Sequence, residues 1–158
     1  MEDFEAFFEV HYGQVLRLVR GLVRDVDDAE DVTQEAFARA CARWRSVGRM
    51  ERPVAWVYVV ALNEQRRRWA RLRRDRSVPA DVDDVPDHGP AVLTAGWLAE
   101  ALATLTPRQR AAVLLRHGAD LPIADIARAL GCAEGTVKAT LHQALGRLRV
   151  ELEDDDAR

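Results

Sequence analysis

The spacing of apolar residues along the chain predicts a protein built from helices. Apolar side chains recur every three or four residues over 2–24, which is the period of an α-helix. A second helix is predicted to begin near Asp28, where neighbouring carboxylates favour a helix N-terminus through capping and the helix dipole. The segment 46–53 follows as a turn or loop. The predicted buried stripe of the second helix comprises Val32, Ala36, Ala40, Cys41 and Trp44.

The apolar run from Val54 to Leu62 is ambiguous, because its β-branched residues also suit a buried strand. No partner strand is predicted elsewhere in the chain, and the residues that follow the run have a strongly helical pattern. We therefore predict a single helix over 53–75, with its first half buried.

An acidic, proline-containing segment separates this first helical block from a second one. Residues 78–96 carry four acidic side chains, no basic ones and no helical period, which predicts an extended or disordered linker. The second block is predicted to begin near Trp97. Within it, an N-cap threonine, a proline in the first turn and a glutamine that closes a capping box predict a helix start at Thr106, Pro107 and Gln109.

The segment from Leu121 to Arg149 has the pattern of a helix-turn-helix. Ala127 is small enough for two helices to cross closely, Gly131 can adopt the positive φ of a tight turn, and Val137 would pack the second helix onto the first. A second helix held in this way projects polar residues into a DNA major groove. The spacing alone also allows an ordinary helical hairpin. Three further residues complete the predicted apolar cluster: Ile126, Leu130 and Leu141.

Composition is that of a soluble chain with one domain or two small ones. The 158 residues are 48% apolar and 31% charged, and no apolar run reaches the roughly 18 residues of a membrane span. The acidic, helical N-terminus argues against a signal peptide. Cys41 and Cys132 lie far apart, without a second ligand at metal-binding spacing. They are predicted to be buried thiols in a reducing cytoplasm, with a redox switch as the alternative.

The net charge of −3 conceals a basic segment. Seven arginines lie between residues 66 and 76, shortly after Trp56, Tyr58 and Asn63. Aromatic faces stack on unpaired bases and arginines bind phosphates, which is the chemistry of single-stranded nucleic-acid binding. The alternative places the two aromatic residues in the core and leaves the arginines as a solvated face. We favour the core for Trp56 and DNA for the arginines.

No pattern of catalytic or metal-binding residues emerges from the sequence. The four histidines are scattered, and the chain has neither a glycine-rich phosphate loop nor an HExxH motif. The sequence therefore predicts no enzymatic activity, no metal and no cofactor.

Three motifs, in this order, resemble sigma-70 factors of the small extracytoplasmic function (ECF) class. AEDVTQEAFARA at 29–40 is similar to region 2.2, RPVAWVYVVALNEQRRR at 52–68 to regions 2.3 and 2.4, and the stretch 98–149 to region 4. The resemblance implies an all-α fold of two small helical domains joined by the acidic linker. Its implied boundaries are region 2 over 1–77, the linker over 78–96, region 4 over 97–153 and a disordered tail over 154–158.

The resemblance also implies a function and its residues. Such a protein is a dissociable subunit of bacterial RNA polymerase, is cytoplasmic, and is not a catalyst by itself. Its first domain docks on the clamp helices of the largest catalytic subunit through Asp28, Asp31, Gln34, Glu35 and Arg39. The same domain recognises and melts the −10 promoter element through Ser46, Arg49, Trp56, Tyr58, Asn63, Arg66 and Arg67. The second domain reads the −35 element as duplex through Glu134, Thr136, Lys138 and His142.

Other expected partners and distances follow from the same resemblance. An anti-sigma factor is an expected partner, whereas membrane insertion and a small-molecule substrate are not expected. At about 3.3 Å per residue, the roughly 19 residues of the linker reach about 60 Å, which suits the separation of two promoter elements. The sequence departs from the family at Ala133, Thr140 and Gln143, where Ser or Thr and then arginines are common. Fewer charged contacts with the −35 duplex are therefore expected.

Three other classes of protein are alternatives. One is an enzyme that acts on nucleic acid, for which the sequence has no metal-binding or nucleophile pattern. A stand-alone helix-turn-helix regulator would bind a palindrome as a symmetric dimer without polymerase. An adaptor of the anti-sigma kind would bind polymerase without reading promoters, and the basic cluster over 66–76 argues against it. Dependence of promoter binding on core polymerase distinguishes these possibilities.

Overall fold

The protein is described by a computed structural model over residues 3–22, 26–76 and 97–156. Every regular element in these ranges is helical, so the predicted all-α class is confirmed. The predicted linker at 78–96 and the last two residues of the predicted tail lie outside the described residues.

The first helical block packs around a shared apolar core. Helices α1 and α2 each contact α4, and α1 also packs on α2. The predicted helix over 53–75 is observed almost unchanged as α4, so the β-branched run after Pro53 is helical. The bounds of the four helices are α1 Phe4–Leu22, α2 Val26–Ala42, α3 Trp44–Val47 and α4 Pro53–Arg76.

The N-terminal end of this block is an aromatic cluster. The rings of Phe7 and Trp44 lie 4.8 Å apart between centroids, and those of Phe8 and Phe37 meet edge to face at 5.2 Å. Such aromatic pairs stabilise a fold by more than the free energy gained from burying their apolar area. The cluster joins α1 to α2 and to the short helix α3, and thereby fixes where the loop between α3 and α4 begins.

The second helical block contains the predicted helix-turn-helix. The predicted capping box is present at the start of α6. The Thr106 hydroxyl accepts from the backbone N–H of Gln109 at 3.2 Å, and the side-chain oxygen of Gln109 accepts from the backbone N–H of Thr106 at 3.1 Å. Helices α6 and α7 both pack on α8. The bounds are α5 Trp97–Ala103, α6 Pro107–Val113, a π-helical turn Leu114–Gly118, α7 Ile123–Leu130 and α8 Glu134–Asp156.

A buried arginine ties the start of this block together. Arg110 in α6 is only 2% exposed and donates to the carbonyl oxygens of Leu102 and Leu105 at 3.0 and 3.1 Å. The Leu102 carbonyl belongs to the last turn of α5, where helical carbonyls have no partner in their own helix, and the Leu105 carbonyl lies in the turn just after α5. A cation there also meets the negative end of the helix dipole.

The two blocks pack against each other. Helix α4 contacts α7, and α1 contacts the π-helical turn. At that second contact a Cβ on Gly118 would stand 3.7 Å from the Leu18 side chain, which is ordinary van der Waals contact. The first and second blocks therefore share a continuous apolar interior rather than standing apart.

Four details differ from the sequence predictions. Cys41 is exposed and Cys132 is half-buried, so the prediction of buried thiols is wrong. Cys41 follows Ala40, and one residue turns the helix by about 100°, which carries its side chain off the buried stripe. The predicted loop over 46–53 begins as the last turn of α3. The tail is helical as far as Asp156, because no glycine or proline interrupts α8 after Gly146.

Candidate functional site

The turn between α7 and α8 has the geometry that the sequence predicts. Gly131 adopts φ +66°, and the Cys132 amide donates back to the carbonyl of Ala127 at 3.0 Å. Val137 is fully buried, as is Ile126, so the second helix is fixed on the first by apolar contact. Glycine is favoured here because a Cβ destabilises left-handed backbone.

The opposite face of α8 is open. The four residues predicted to read duplex DNA are all exposed, namely Glu134, Thr136, Lys138 and His142. Thr140, also on this helix, donates its hydroxyl to the carbonyl of Thr136 at 2.8 Å. Lys138 is the only lysine or arginine in the first three turns of α8, so it provides the cationic charge at the start of this face.

The residues predicted to contact melted DNA lie at different depths. Ser46, Arg49 and Arg67 are exposed, whereas Trp56, Asn63 and Arg66 are half-buried. Ser46 lies in α3 and donates its hydroxyl to a backbone carbonyl at 3.0 Å. These six residues occupy α3, the loop after it and one side of α4.

Tyr58 differs from this group. It is only 3% exposed, and this burial raises the pKa of its phenol to about 12, with Arg17 acting in the opposite direction. In this conformation Tyr58 cannot contact a DNA base. Its predicted stacking requires that the core around it opens.

The half-buried part of this group faces the helix-turn-helix. A cavity of about 440 Å³ lies between the loop at 50–52, Trp56 in α4, and Asp125 and Arg128 in α7. Arg52 and Asp125 approach to 3.8 Å across it. Further along α4, Arg66 donates to the carbonyl of Leu130 at 3.0 Å. The structure thus brings two of the predicted −10 residues, Trp56 and Arg66, against the first helix of the helix-turn-helix.

The acidic helix α2 presents its predicted docking residues on one side. Asp31 and Gln34 are exposed, and Asp28, Glu35 and Arg39 are half-buried. Arg39 donates to Glu35 at 2.8 Å within the helix. The same guanidinium donates to Glu64 of α4 at 3.0 Å. The predicted docking surface is therefore linked by an ion pair to the arginine-rich helix.

The sequence analysis did not identify Glu64, the buried carboxylate on which these ion pairs converge. The side chain of Glu64 is only 7% exposed, accepts hydrogen bonds from Arg39 and Arg68 at 3.0 and 3.2 Å, and forms an ion pair with Arg71 at 3.6 Å. The one feature of the sequence that could have indicated this role is the position of Glu64, which is the last carboxylate before the seven arginines. A buried carboxylate with three cationic neighbours holds those side chains in place.

Other types of site were sought in the same ranges. Among the described residues, no three His, Cys, Asp or Glu side chains come together in a way that could hold a metal ion. In that part of the chain no helix is both long and apolar enough to span a membrane.

Two known protein families match the chain. Sigma-70 region 2 matches residues 7–75, and sigma-70 region 4 matches residues 95–148. The two matches occur in the order of the two helical blocks and together cover most of the chain.

Individual proteins match along nearly the whole length. An RNA polymerase sigma-E factor of Streptomyces antibioticus is 38% identical over 161 residues, covering 98% of this chain and 87% of that protein. The ECF RNA polymerase sigma factor SigL of Mycobacterium tuberculosis is 36% identical over 157 residues, covering 94% and 88%. The solved sigma factor RpoE of Bartonella quintana, in complex with the anti-sigma factor NepR, superposes with a TM-score of 0.70 at 25% identity, covering 97% and 98%.

Proposed function

The chain belongs to the sigma-70 family, in its extracytoplasmic function class, and on this premise we propose that it binds bacterial core RNA polymerase and directs it to specific promoters. The observation that carries the proposal is the presence of both sigma regions, in order, in one helical chain. A stand-alone regulator would need only the helix-turn-helix. The chain itself would supply no catalytic group, since polymerase performs the chemistry.

We propose that α2 is the surface that docks on polymerase. The exposed Asp31 and Gln34, together with the half-buried Asp28, Glu35 and Arg39, form one polar side of the helix. An acidic helix side fits a basic partner surface, and complementary charge both accelerates association and selects the partner. The ion pair between Arg39 and Glu64 would hold this side in register with α4.

We propose that α8 reads the −35 element as duplex DNA. Support comes from the tight turn at Gly131, the buried anchor Val137 and the exposed polar face that includes Thr136, Lys138 and His142. This is the arrangement in which a recognition helix enters the major groove. Glu134 at the start of the helix can accept from a cytosine amino group.

We propose that the side of α4 and the loop after α3 bind the −10 element once it melts. The residues are Ser46, Arg49, Trp56, Asn63, Arg66 and Arg67, and Tyr58 joins them only if the core opens. Arginines beside an aromatic ring suit single-stranded DNA. Because this side faces α7, the two domains would have to separate before both elements are read.

We propose in addition that an anti-sigma factor regulates the protein. The similar RpoE of Bartonella quintana is described in complex with such a factor, NepR. A protein that covered both domains would keep them in the packed arrangement and block access to α2 and α8.

The experiment is promoter binding and run-off transcription with and without core polymerase. Purified protein, core enzyme and a library of promoter fragments are combined, and bound fragments and transcripts are sequenced. We expect enriched fragments that share two short elements, and transcripts only when protein and core are both present. Sequence-specific binding of a palindrome by the protein alone would instead identify a stand-alone regulator.

A further inference from the structure

Arg68 in α4 lies between carboxylates of two different helices. Its Nε donates to Glu64 Oε1 at 3.2 Å. Its Nη1 lies 3.7 Å from Asp28 Oδ1 and 3.8 Å from Asp31 Oδ2, both in α2. The guanidinium of Arg68 therefore links the arginine-rich helix to Asp28 and Asp31, the two aspartates of the proposed docking surface on α2.

The two ends of this guanidinium are held with different strength. The side chain of Glu64 is 7% exposed, and a nearly buried carboxylate is strongly destabilising if its cationic partners are lost. The side chains of Asp28 and Asp31 are 47% and 62% exposed, and their contacts are long. Exposed ion pairs of this kind contribute little and exchange readily for another partner.

We propose, on the basis of the function proposed above for α2, that Arg68 is a DNA contact which polymerase docking releases. In the free protein Asp28 and Asp31 hold Nη1 of Arg68. When a basic surface of polymerase binds these carboxylates, Nη1 becomes available to a DNA phosphate. Glu64 is the positioning residue, because it keeps the Nε end of Arg68 at the surface of α4 in both states.

The competition makes docking and DNA binding dependent on each other. Arg68 and polymerase bind the same two carboxylates, so each weakens the binding of the other. A DNA phosphate that takes Arg68 away from Asp28 and Asp31 strengthens docking, and linkage requires that docking strengthen DNA binding by the same factor. The arrangement favours promoter contact by the assembled enzyme over contact by the free subunit.

The first test measures affinity for core polymerase in the absence of DNA. Arg68→Gln should bind core about threefold more tightly than wild type, because Asp28 and Asp31 then lose an internal competitor. Arg74→Gln is the matched control, since Arg74 lies in the same arginine-rich helix and donates to the carbonyl of Ala70 within that helix. Its affinity should equal that of wild type. Unchanged or weaker binding of Arg68→Gln would overturn the proposal, since a plain DNA contact predicts no change and a structural role predicts weaker binding.

The second test measures DNA binding by the full chain without polymerase. The probe is a fluorescent single strand of about twenty deoxythymidines, which has no promoter sequence. Asp28→Asn/Asp31→Asn should bind it about threefold more tightly, with a salt slope steeper by about 0.7, the value for one phosphate contact on a single strand. In the Arg68→Gln background the same pair of changes should have no effect.

The controls separate this coupling from a general loss of negative charge. Glu5→Gln/Glu9→Gln removes two exposed carboxylates from α1 and should not change probe affinity. If circular dichroism shows that Arg68→Gln does not fold, the comparison of Asp28→Asn/Asp31→Asn with Glu5→Gln/Glu9→Gln still tests the proposal. An equal gain in the α1 control would overturn the proposal.

Run-off transcription by wild type separates failure of this inference from failure of the proposed function. Transcripts from wild-type holoenzyme, together with no difference between Arg68→Gln and Arg74→Gln, would overturn the coupling alone. Absence of transcripts from wild-type holoenzyme on the whole promoter library would overturn the proposed function and the coupling with it.

Discussion

Arg66 in α4 donates a hydrogen bond from Nη2 to the carbonyl oxygen of Leu130, the last residue of α7, at 3.0 Å. The same carbonyl accepts from Arg108 of its own domain at 3.2 Å. The end of the first helix of the helix-turn-helix is therefore bound by one arginine from each domain. In the packed protein, an arginine proposed to contact melted DNA is engaged by the domain proposed to read duplex DNA.

Removal of two α4 arginines should impair promoter melting more than initial binding. We expect Arg66→Ala/Arg67→Ala holoenzyme to form closed complexes nearly as well as wild type, because single-strand contacts contribute only after the duplex opens. Permanganate reactivity of thymines in the −10 region measures melting, and Arg74→Ala is the control for loss of charge from the same helix. Wild-type reactivity in the double variant would refute the placement of the −10 contacts on α4.

Reversal of one charge on α2 should weaken docking. Asp31 is well exposed, and its contact with Arg68 is long, so Asp31→Arg should leave the fold intact while it places a cation against a basic partner. We expect clearly reduced co-purification with core polymerase. Glu9→Arg on α1 reverses an equally exposed charge and should co-purify as wild type does. Equal retention of both variants would contradict the assignment of α2 as the docking surface.

Lys138 should provide much of the electrostatic affinity for the −35 duplex. Lys138→Ala should weaken promoter binding by the holoenzyme and flatten the dependence of log K on log salt by about 0.9, the value for one phosphate contact on duplex DNA. Arg149→Ala, at the far end of α8, should leave the slope unchanged. An unaltered slope in Lys138→Ala, with binding abolished by Thr136→Val or His142→Ala, would mean that the helix reads bases through neutral hydrogen bonds.

Stability at alkaline pH should depend on Tyr58. Burial raises the pKa of its phenol from 10.0 to about 12 in the folded protein. A raised folded pKa means that the contribution of the neutral phenol is fully present below about pH 10 and is lost as pH rises towards 12. Urea unfolding of wild type should therefore show a steeper loss of stability between pH 10 and 12 than unfolding of Tyr58→Phe. Identical slopes for the two proteins would show that Tyr58 titrates as it does in the unfolded chain.

Much of the local structure could be predicted because it depends on residues within one or two turns. The capping box at Thr106 and Gln109 and the left-handed turn at Gly131 are formed as the sequence indicates. The helix that begins at Pro53 also could be predicted, because strong helix formers follow its β-branched run. The exposed face of α8 could be predicted as well, because the helical spacing that places Val137 on the buried side places the polar residues on the opposite side.

Prediction failed where the outcome depended on which helix sides meet. Cys41 was placed on the buried stripe of α2, but it is exposed because the stripe that contacts α1 and α4 ends at Ala40. The sequence pairs Tyr58 with Trp56 as an aromatic neighbour of the arginines. Two positions apart on a helix, these side chains point in nearly opposite directions, about 160° apart, so only Tyr58 is almost completely buried in the core.

The helices, their caps, the tight turn and the family can all be inferred from the sequence, since each depends on short-range periodicity and on local motifs. Three contacts could be found only from the packing of the helices: the contacts of Glu64 with three arginines, the contact of Arg68 with α2, and the bond from Arg66 to the end of α7. These contacts join residues up to 64 positions apart. A guanidinium on a long flexible stem can reach many acceptors, and the packing of the helices selects which acceptor it meets.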